Sequence, residues 1–560
     1  MPHQPDTLPA ALTNAARWGR RVVVRGPRGA VVETLSWRDV AEQSVELAHR
    51  LASTGLAAGE RVGLAAETDL AFVRLFLACQ LVGLVPLPLP LPPAFGDRAV
   101  HAERLALLLE AAGARAAFAP PALLGLLPPG LALAGTPAQV EALPPSPRRL
   151  PALAAGDVAF VQFSSGSTRF PKGVVITHRA LLANARAIAA ALHIVEGDSC
   201  VSWLPLYHDM GLVGCLLAPM VVGLDLHLLP TREFIRNPLL WPRLMSEVGG
   251  TLSYSPAFGY ELASRRVSAE ILAPLDLSRW RVAGLGGDMI RPDVAGRFAE
   301  AYAPAGFRPE AFAPSYGLAE ATLAVTMQPP GEGLAVALAD LDLLEHDGIL
   351  AVTRTVAADG PRIRGFASDA PRIRGFAACG RPLPGMRVEI RDQAGAVVPE
   401  RRVGRIHVAG PSLLEGYFRD PEASRLVLAD GWLDTGDLGA WVDGSLVVTG
   451  RAKDLIIVNG RNLWPQDLEW AAERVEPLRP GDVAALAEHD SEGERVVLLV
   501  QCRMQDAAAR RQLAQAVADK VMAACCVLCR VVLVAPHALP RTSSGKLARS
   551  HARRLLVPDR

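Results

Sequence analysis

Lysine is nearly absent from this chain: four stand against fifty-four arginines among its 560 residues. That bias leaves arginine as the generic surface cation and marks Lys172, Lys453 and Lys546 as candidates for special work. An ammonium on a flexible stem reaches a single phosphate or carboxylate oxygen where a planar guanidinium fits less well. Lys520 ends a helical stretch and reads as surface. Net charge is also lacking: a formal +1 gives no reason to expect nucleic acid or an anionic membrane as the main partner. No long apolar run is uninterrupted. The most hydrophobic stretch, 70–93, contains Arg74 and Gln80 and closes in alternating Leu and Pro, so no membrane span is expected, but a buried helix, then a strand and a loop. Eight cysteines show no metal-ligand spacing, and Cys525, Cys526 and Cys529 lie in an apolar run, which fits buried thiols in a reducing cytoplasm. The first residues lack the basic start and apolar core of a secretion leader, so the expected location is cytoplasmic.

What is present is an α/β pattern. The length corresponds to three or four units of roughly 150 residues, or to a large body with a smaller appendage. Short β-branched runs alternate with Ala- and Leu-rich helical patterns over 61–65, 71–82, 101–112 and 115–118, as in sheets wrapped by helices. A strand over 157–163 leads into a Ser/Gly loop, with a helix expected over 180–191; strand, glycine loop, helix is a phosphate-binding arrangement. Over 334–378 the pattern weakens, and Pro361-Arg362-Ile363-Arg364-Gly365-Phe366-Ala367 recurs unchanged at 371–377, read as a duplication tolerated in a surface segment. Antiparallel strands follow over 388–398, 404–409 and 446–449. The charged stretch Arg451-Ala452-Lys453-Asp454 separates a body, 1–452, from a small domain, 453–560.

Five motifs carry chemistry. Ser164-Ser165-Gly166-Ser167-Thr168-Arg169-Phe170-Pro171-Lys172-Gly173 offers hydroxyls, backbone amides and one ammonium to a polyphosphate, or is a polar turn. It is not the loop of nucleotide triphosphatases, which places Ser or Thr directly after the lysine. Tyr207-His208-Asp209-Met210-Gly211-Leu212 holds a His-Asp pair of either structural or catalytic use. In Ser315-Tyr316-Gly317-Leu318-Ala319-Glu320 a ring suits purine stacking and a carboxylate suits a magnesium ion; a helix start with a buried tyrosine is the plain alternative. Asp437, in Asp434-Thr435-Gly436-Asp437, could accept ribose hydroxyls or simply form a turn, with Arg451 downstream. The fifth motif is Arg541-Thr542-Ser543-Ser544-Gly545-Lys546.

In this order the motifs resemble the adenylate-forming ligases, over about 37–547, and within them the fatty acyl-AMP ligases. The subfamily signals are 207–212, Gly286-Gly287-Asp288-Met289-Ile290-Arg291-Pro292 and 460–469, with 334–378 matching the place of an insertion that acyl-CoA ligases lack. Arg169 departs from the family loop, which usually has Gly there. The resemblance implies a large N-terminal domain of two helix-wrapped sheets plus a small β-barrel-like subdomain, and a small mobile α+β C-terminal domain.

It further implies activation of a fatty acid by ATP and Mg2+ to an acyl-adenylate, then transfer to the phosphopantetheine thiol of an acyl carrier protein. Lys546 would reach the carboxylate and α-phosphate; Ser164, Ser165, Gly166, Ser167, Thr168 and Lys172 would cradle the outer phosphates. Glu320 would hold the metal, Tyr316 would pack on adenine beside Ser315, Gly317, Gly287 and Asp288, and Asp437 with Arg451 would hold the ribose. His208 would line the acyl entrance. Lys453 and Asp454 would form the hinge, an ordinary salt bridge being the other reading of Lys453. Gly211, Gly214, Cys215 and Ala218 fall at helical spacing and leave one face bare, for an acyl tunnel or for close helix packing. The chain has no carrier segment of its own, so a separate carrier chain or synthase module is expected. An acyl-CoA ligase and a non-catalytic acyl-binding scaffold are the competing readings. A peptide-synthetase adenylation domain would need an acidic partner for an amino group, and none stands out.

Overall fold

The computed structural model describes residues 4–92, 98–163, 172–357, 372–458, 461–490, 493–541 and 547–556. Its centre is a nine-stranded sheet. Five strands, Ser199–Ser202, Asp225–Leu228, Leu252–Ser255, Val282–Leu285 and Phe312–Gly317, run parallel within it. Short apolar strands buried on both faces suit this geometry, because helices cover both sides. A second, parallel sheet of four strands is built on Arg61–Ala65 and Val85–Leu89. Between its strands runs Leu70–Leu81, a helix capped by the Asp69 carboxylate, which accepts from the Phe72 amide, and almost wholly buried. The apolar stretch at 70–93 is thus the expected buried helix and strand.

The strand Val158–Phe163 corrects one expectation. The chain does not pass from its loop into a helix; Gly173–Thr177 returns first as a strand antiparallel to Val158–Phe163, and only then does His178–Ala191 begin. The β-branched run Val174-Val175-Ile176-Thr177 explains the strand, and Thr177 caps the helix. Residues 164–172 therefore join two paired strands instead of leading directly into a helix.

Beyond the main sheet, five antiparallel strands between Arg387–Arg391 and Ser445–Arg451 form the small β unit. Where it is described, the weakly patterned 334–378 forms strands: Ala335–Asp340 pairs with both Val352–Ala357 and Ile373–Ala377. The duplicated heptad is consequently more than tolerated surface. Its first copy lies outside the described residues, but the second supplies the strand Ile373–Ala377, with Arg374 and Phe376 buried.

Residues from Ile456 onward gather a core of their own, with Leu498, Val500, Val517 and Val521 among its members. Ion pairs fasten this unit to the three-stranded sheet built on Ala335–Asp340 and its neighbouring helix. Buried Glu345 receives Arg372 at 2.8 Å and Arg461 at 2.6 Å, and Arg374 meets Asp467 at 2.6 Å. Arg291 of the body also donates a hydrogen bond to Glu473 at 3.4 Å.

Candidate active site

A cavity of about 330 Å³ opens at the C-terminal ends of the parallel strands, where ligands bind in open α/β sheets. One end is polar, with Lys172, His208, Glu320, Arg451 and Lys453 on its walls; the other is hydrocarbon, with Ile188, Leu192, Leu224 and Leu252.

At the polar end the motifs of Tyr316 and Asp437 meet through specific bonds. The Tyr316 phenol donates to Asp437 Oδ2 at 2.8 Å, and Asp437 Oδ1 pairs with Arg451 Nε at 3.0 Å. Strands Trp432–Val442 and Ser445–Arg451 bring these two together by pairing Asp437 directly opposite Arg451. The neighbouring Asp437 carboxylate raises the Arg451 pKa, so that guanidinium stays charged. Gly317 is obligatory here, since a Cβ on it would lie 1.9 Å from the Leu323 carbonyl oxygen. A few residues on, Thr322 is fully buried at φ 69°, a conformation costly for a β-branched residue, held by its hydroxyl donating to the Ser412 carbonyl.

Glu320 accepts a hydrogen bond from the Tyr417 phenol at 2.9 Å, and the Lys172 ammonium lies 4.6 Å from the centre of the same ring. Burial pushes the Glu320 carboxyl upward, so a cation arriving there would relieve a desolvated acid. Among the described residues no three His, Cys, Asp or Glu side chains gather as a metal site. A single carboxylate fits magnesium carried in by nucleotide phosphates, which supply most of its oxygens. Burial lowers the Lys453 pKa, and Lys453 lines the cavity, so the short turn Ala452–Asp454 is part of its wall.

The structure distributes the remaining candidates unevenly. Gly287, in the left-handed region at φ 79°, and Ser315 line the cavity, whereas Asp288 is exposed and accepts from the Met289 amide. His208 Nδ1 sits 2.6 Å from Asp209 Oδ1. Asp454 lies 3.5 Å from Arg549, which also binds Glu469 at 2.6 Å, tying the turn at 452–454 to the segment that follows Lys546. Lys546 and Ser164, Ser165, Gly166, Ser167 and Thr168, with Arg169, lie outside the described residues.

The four small residues split. Residues Met210–Leu217 form a π-helix, with the Ala218 amide bonding to the Val213 carbonyl. The wider turn puts Met210, Gly214 and Ala218 on the cavity, not the four expected from α-helical spacing. Gly211 instead packs against backbone, its Cβ position 2.2 Å from the Pro205 carbonyl oxygen, and Cys215 is buried off the cavity wall.

The sequence reading passed over Tyr254 and Tyr417, and did not use Tyr207 as a wall. A signal was available: the chain has six tyrosines, and Tyr207, Tyr254, Tyr316 and Tyr417 all line this cavity. Scarce tyrosine concentrates at the site as scarce lysine does.

The AMP-binding enzyme family model matches residues 12–418. A Caulobacter vibrioides protein provisionally named an acyl-CoA synthetase is 46% identical over 98% of this chain and 94% of its own length. A long-chain fatty acid AMP ligase of Mycobacterium tuberculosis is 31% identical over 94% of this chain and 91% of its own. A solved structure from work on fatty acyl-adenylate ligases of E. coli and L. pneumophila superposes with a TM-score of 0.91 at 41% identity, covering 98% of this chain and 97% of that one.

Proposed function

Because the chain belongs to the AMP-binding enzyme family, among its fatty acyl-AMP ligases, we propose that it joins a fatty acid to AMP from ATP, releasing pyrophosphate. It then passes the acyl group to the phosphopantetheine thiol of an acyl carrier protein. The observation that carries this reading is one continuous cavity, charged where Lys172, Glu320 and Arg451 stand and hydrocarbon where Leu192, Leu224 and Leu252 stand. A scaffold that merely bound lipid would have no use for the charged end.

The first step needs no general base, since a fatty acid with a pKa like that of Glu, about 4.3, is already ionised at neutral pH. The obstacle is electrostatic: a carboxylate must approach a polyanion while charge builds on phosphorus. Fixed cations in a water-poor site meet it. Lys172 and Arg451 are in place on the cavity wall, and Lys546 would be delivered by the small domain. Residues 164–168 would cradle the outer phosphates. The Asp437 carboxylate, oriented by Tyr316 and Arg451, would accept the ribose hydroxyls, and the Tyr316 ring, with Ser315, Gly317, Gly287 and Asp288 nearby, would pack on adenine. Glu320 would hold Mg2+, which when bound screens phosphate charge. His208 would stand where carboxylate and phosphate meet. For the thiol step we assign Lys453 and Asp454 as the hinge about which 453–560 turns, withdrawing Lys546; the ion pair of Asp454 with Arg549, three residues past Lys546, supports this assignment.

The Caulobacter relative's name keeps coenzyme A in view as the acceptor. Against it stands the inserted sheet, through which Glu345 and Arg374 grip the small domain. The setting we propose is the cytoplasm; no helix among the described residues is long and apolar enough to cross a membrane. The test is fatty-acid-dependent exchange of labelled pyrophosphate into ATP. Exchange with medium or long acids establishes the first step, and its absence with every acid rejects the reading.

A further inference from the structure

Tyr254 is set differently from four of the other tyrosines. The phenols of Tyr260, Tyr302, Tyr316 and Tyr417 each donate to an oxygen at 2.8–2.9 Å. Tyr254 has as its hydrogen-bond partner only the Met327 thioether, at 3.8 Å, among the described residues. Sulfur in a thioether is a weak acceptor, and a buried phenol usually finds a strong one. Burial holds the Tyr254 phenol far above its ordinary range, so it remains a neutral donor.

Tyr254 and its partner Met327 both line the cavity. Tyr254 lies on the strand Leu252–Ser255, two residues nearer the phosphate end than Leu252, which lines the apolar wall beside Cys200. The ring is held in place by design of the neighbouring strand. Tyr254 pairs with Gly284, and a Cβ there would fall 2.1 Å from two ring carbons, so any side chain at 284 would expel the ring from its seat. A plain hydrocarbon chain running past this point would bury the phenol with no oxygen to receive its proton, a costly arrangement. A chain bearing an oxygen at the same depth would complete the bond.

We propose that Tyr254 selects acids whose chain carries a hydrogen-bond-accepting oxygen, a hydroxyl or a keto group, partway along its length. The inference rests on the apolar end being the acyl site. Tyr254 is here a specificity-determining residue that touches substrate and takes no part in phosphorus chemistry.

The test uses the full-length enzyme and pyrophosphate release with decanoic acid and its mono-hydroxy and mono-keto derivatives, substituted at successive carbons. One position is expected to stand out with kcat/KM at least about tenfold above decanoic acid, for hydroxyl and keto alike because the tyrosine donates. Tyr254→Phe should bring that ratio toward one. Met327→Leu removes the competing thioether and keeps the phenol, so the ratio should persist or grow. The proposal is overturned if decanoic acid equals or exceeds every derivative, or if the preference survives Tyr254→Phe. Failure of all acids to release pyrophosphate overturns the ligase reading and this proposal with it, an outcome distinct from activity without preference.

Discussion

At one end of the cavity Tyr316 is bonded to Asp437, Asp437 to Arg451, and Glu320 to Tyr417; at the other, Ile188, Leu192, Leu224 and Leu252 are held by packing. The first arrangement fixes charge at points, because a developing phosphoryl charge is stabilised by donors that do not reorganise. The second fixes volume, because a hydrocarbon chain is recognised by the space it fills, and a methylene more or less is worth only about 1–3 kcal/mol. The two ends should therefore fail in different ways when altered.

The largest failure belongs to the charged end. Lys546→Ala should lower the rate of adenylate formation by about 10²–10³ with every acid, the usual cost of losing one preorganised partner of the reacting oxygens. Single-turnover adenylation checks this, and a loss confined to long acids would misplace the lysine. Next comes Asp437→Ala, which removes a charged acceptor and leaves Arg451 and Tyr316 unpaired. A loss of about 1.5–3 kcal/mol is expected, read as a higher KM for ATP at unchanged chain preference.

Gly214→Trp alters the other end. A Cβ at 214 already stands 2.9 Å from Leu323 Cδ2, so an indole must enter the cavity. The preferred acid should shorten, with overpacking of about 1–3 kcal/mol against long chains and a much smaller change in KM for ATP. Competition between acids of graded length measures it; an unaltered profile would mean that Gly214 serves helix packing alone.

The smallest effect lies at neither end. Glu473, buried between Arg291 and the Gly481 amide, has its carboxyl pushed up by burial to about 8. A raised folded pKa means that the protonated form is favoured in the native state. Its contribution is therefore fully present below the unfolded value of about 4.3 and is lost as pH rises through about 8. The thermal midpoint should drop across that window, and Glu473→Gln should flatten the drop.

The contrast between the ends also explains what the sequence disclosed. Tyr316, Glu320, Asp437 and Arg451 were legible because point charges need particular residue types at particular spacings. The acyl wall was not, because Ile, Leu and Val do the same work in any core. Register decided the rest: the π-helix at Met210–Leu217 brings Gly214 and Ala218 to the cavity but leaves Gly211 against the Pro205 carbonyl, and helical periodicity assumes α-helical turns. The alternation of helix and strand around Leu70–Leu81 was readable from burial patterns. The returning strand Gly173–Thr177 was passed over because a glycine loop before a helix suggested a different local fold. The sheet built on Ala335–Asp340 escaped notice for a related reason: Arg372 and Arg374 look like surface cations until Glu345 and Asp467 are placed against them.

The central claim is that the acyl group activated at the charged end leaves on a carrier-borne thiol. The most direct measurement supplies the enzyme with ATP, magnesium and a fatty acid, then coenzyme A and a phosphopantetheine-bearing acyl carrier protein in parallel, and follows both products by mass. Acyl-adenylate that persists with coenzyme A and disappears onto the carrier protein is the predicted result; efficient formation of acyl-CoA would contradict it.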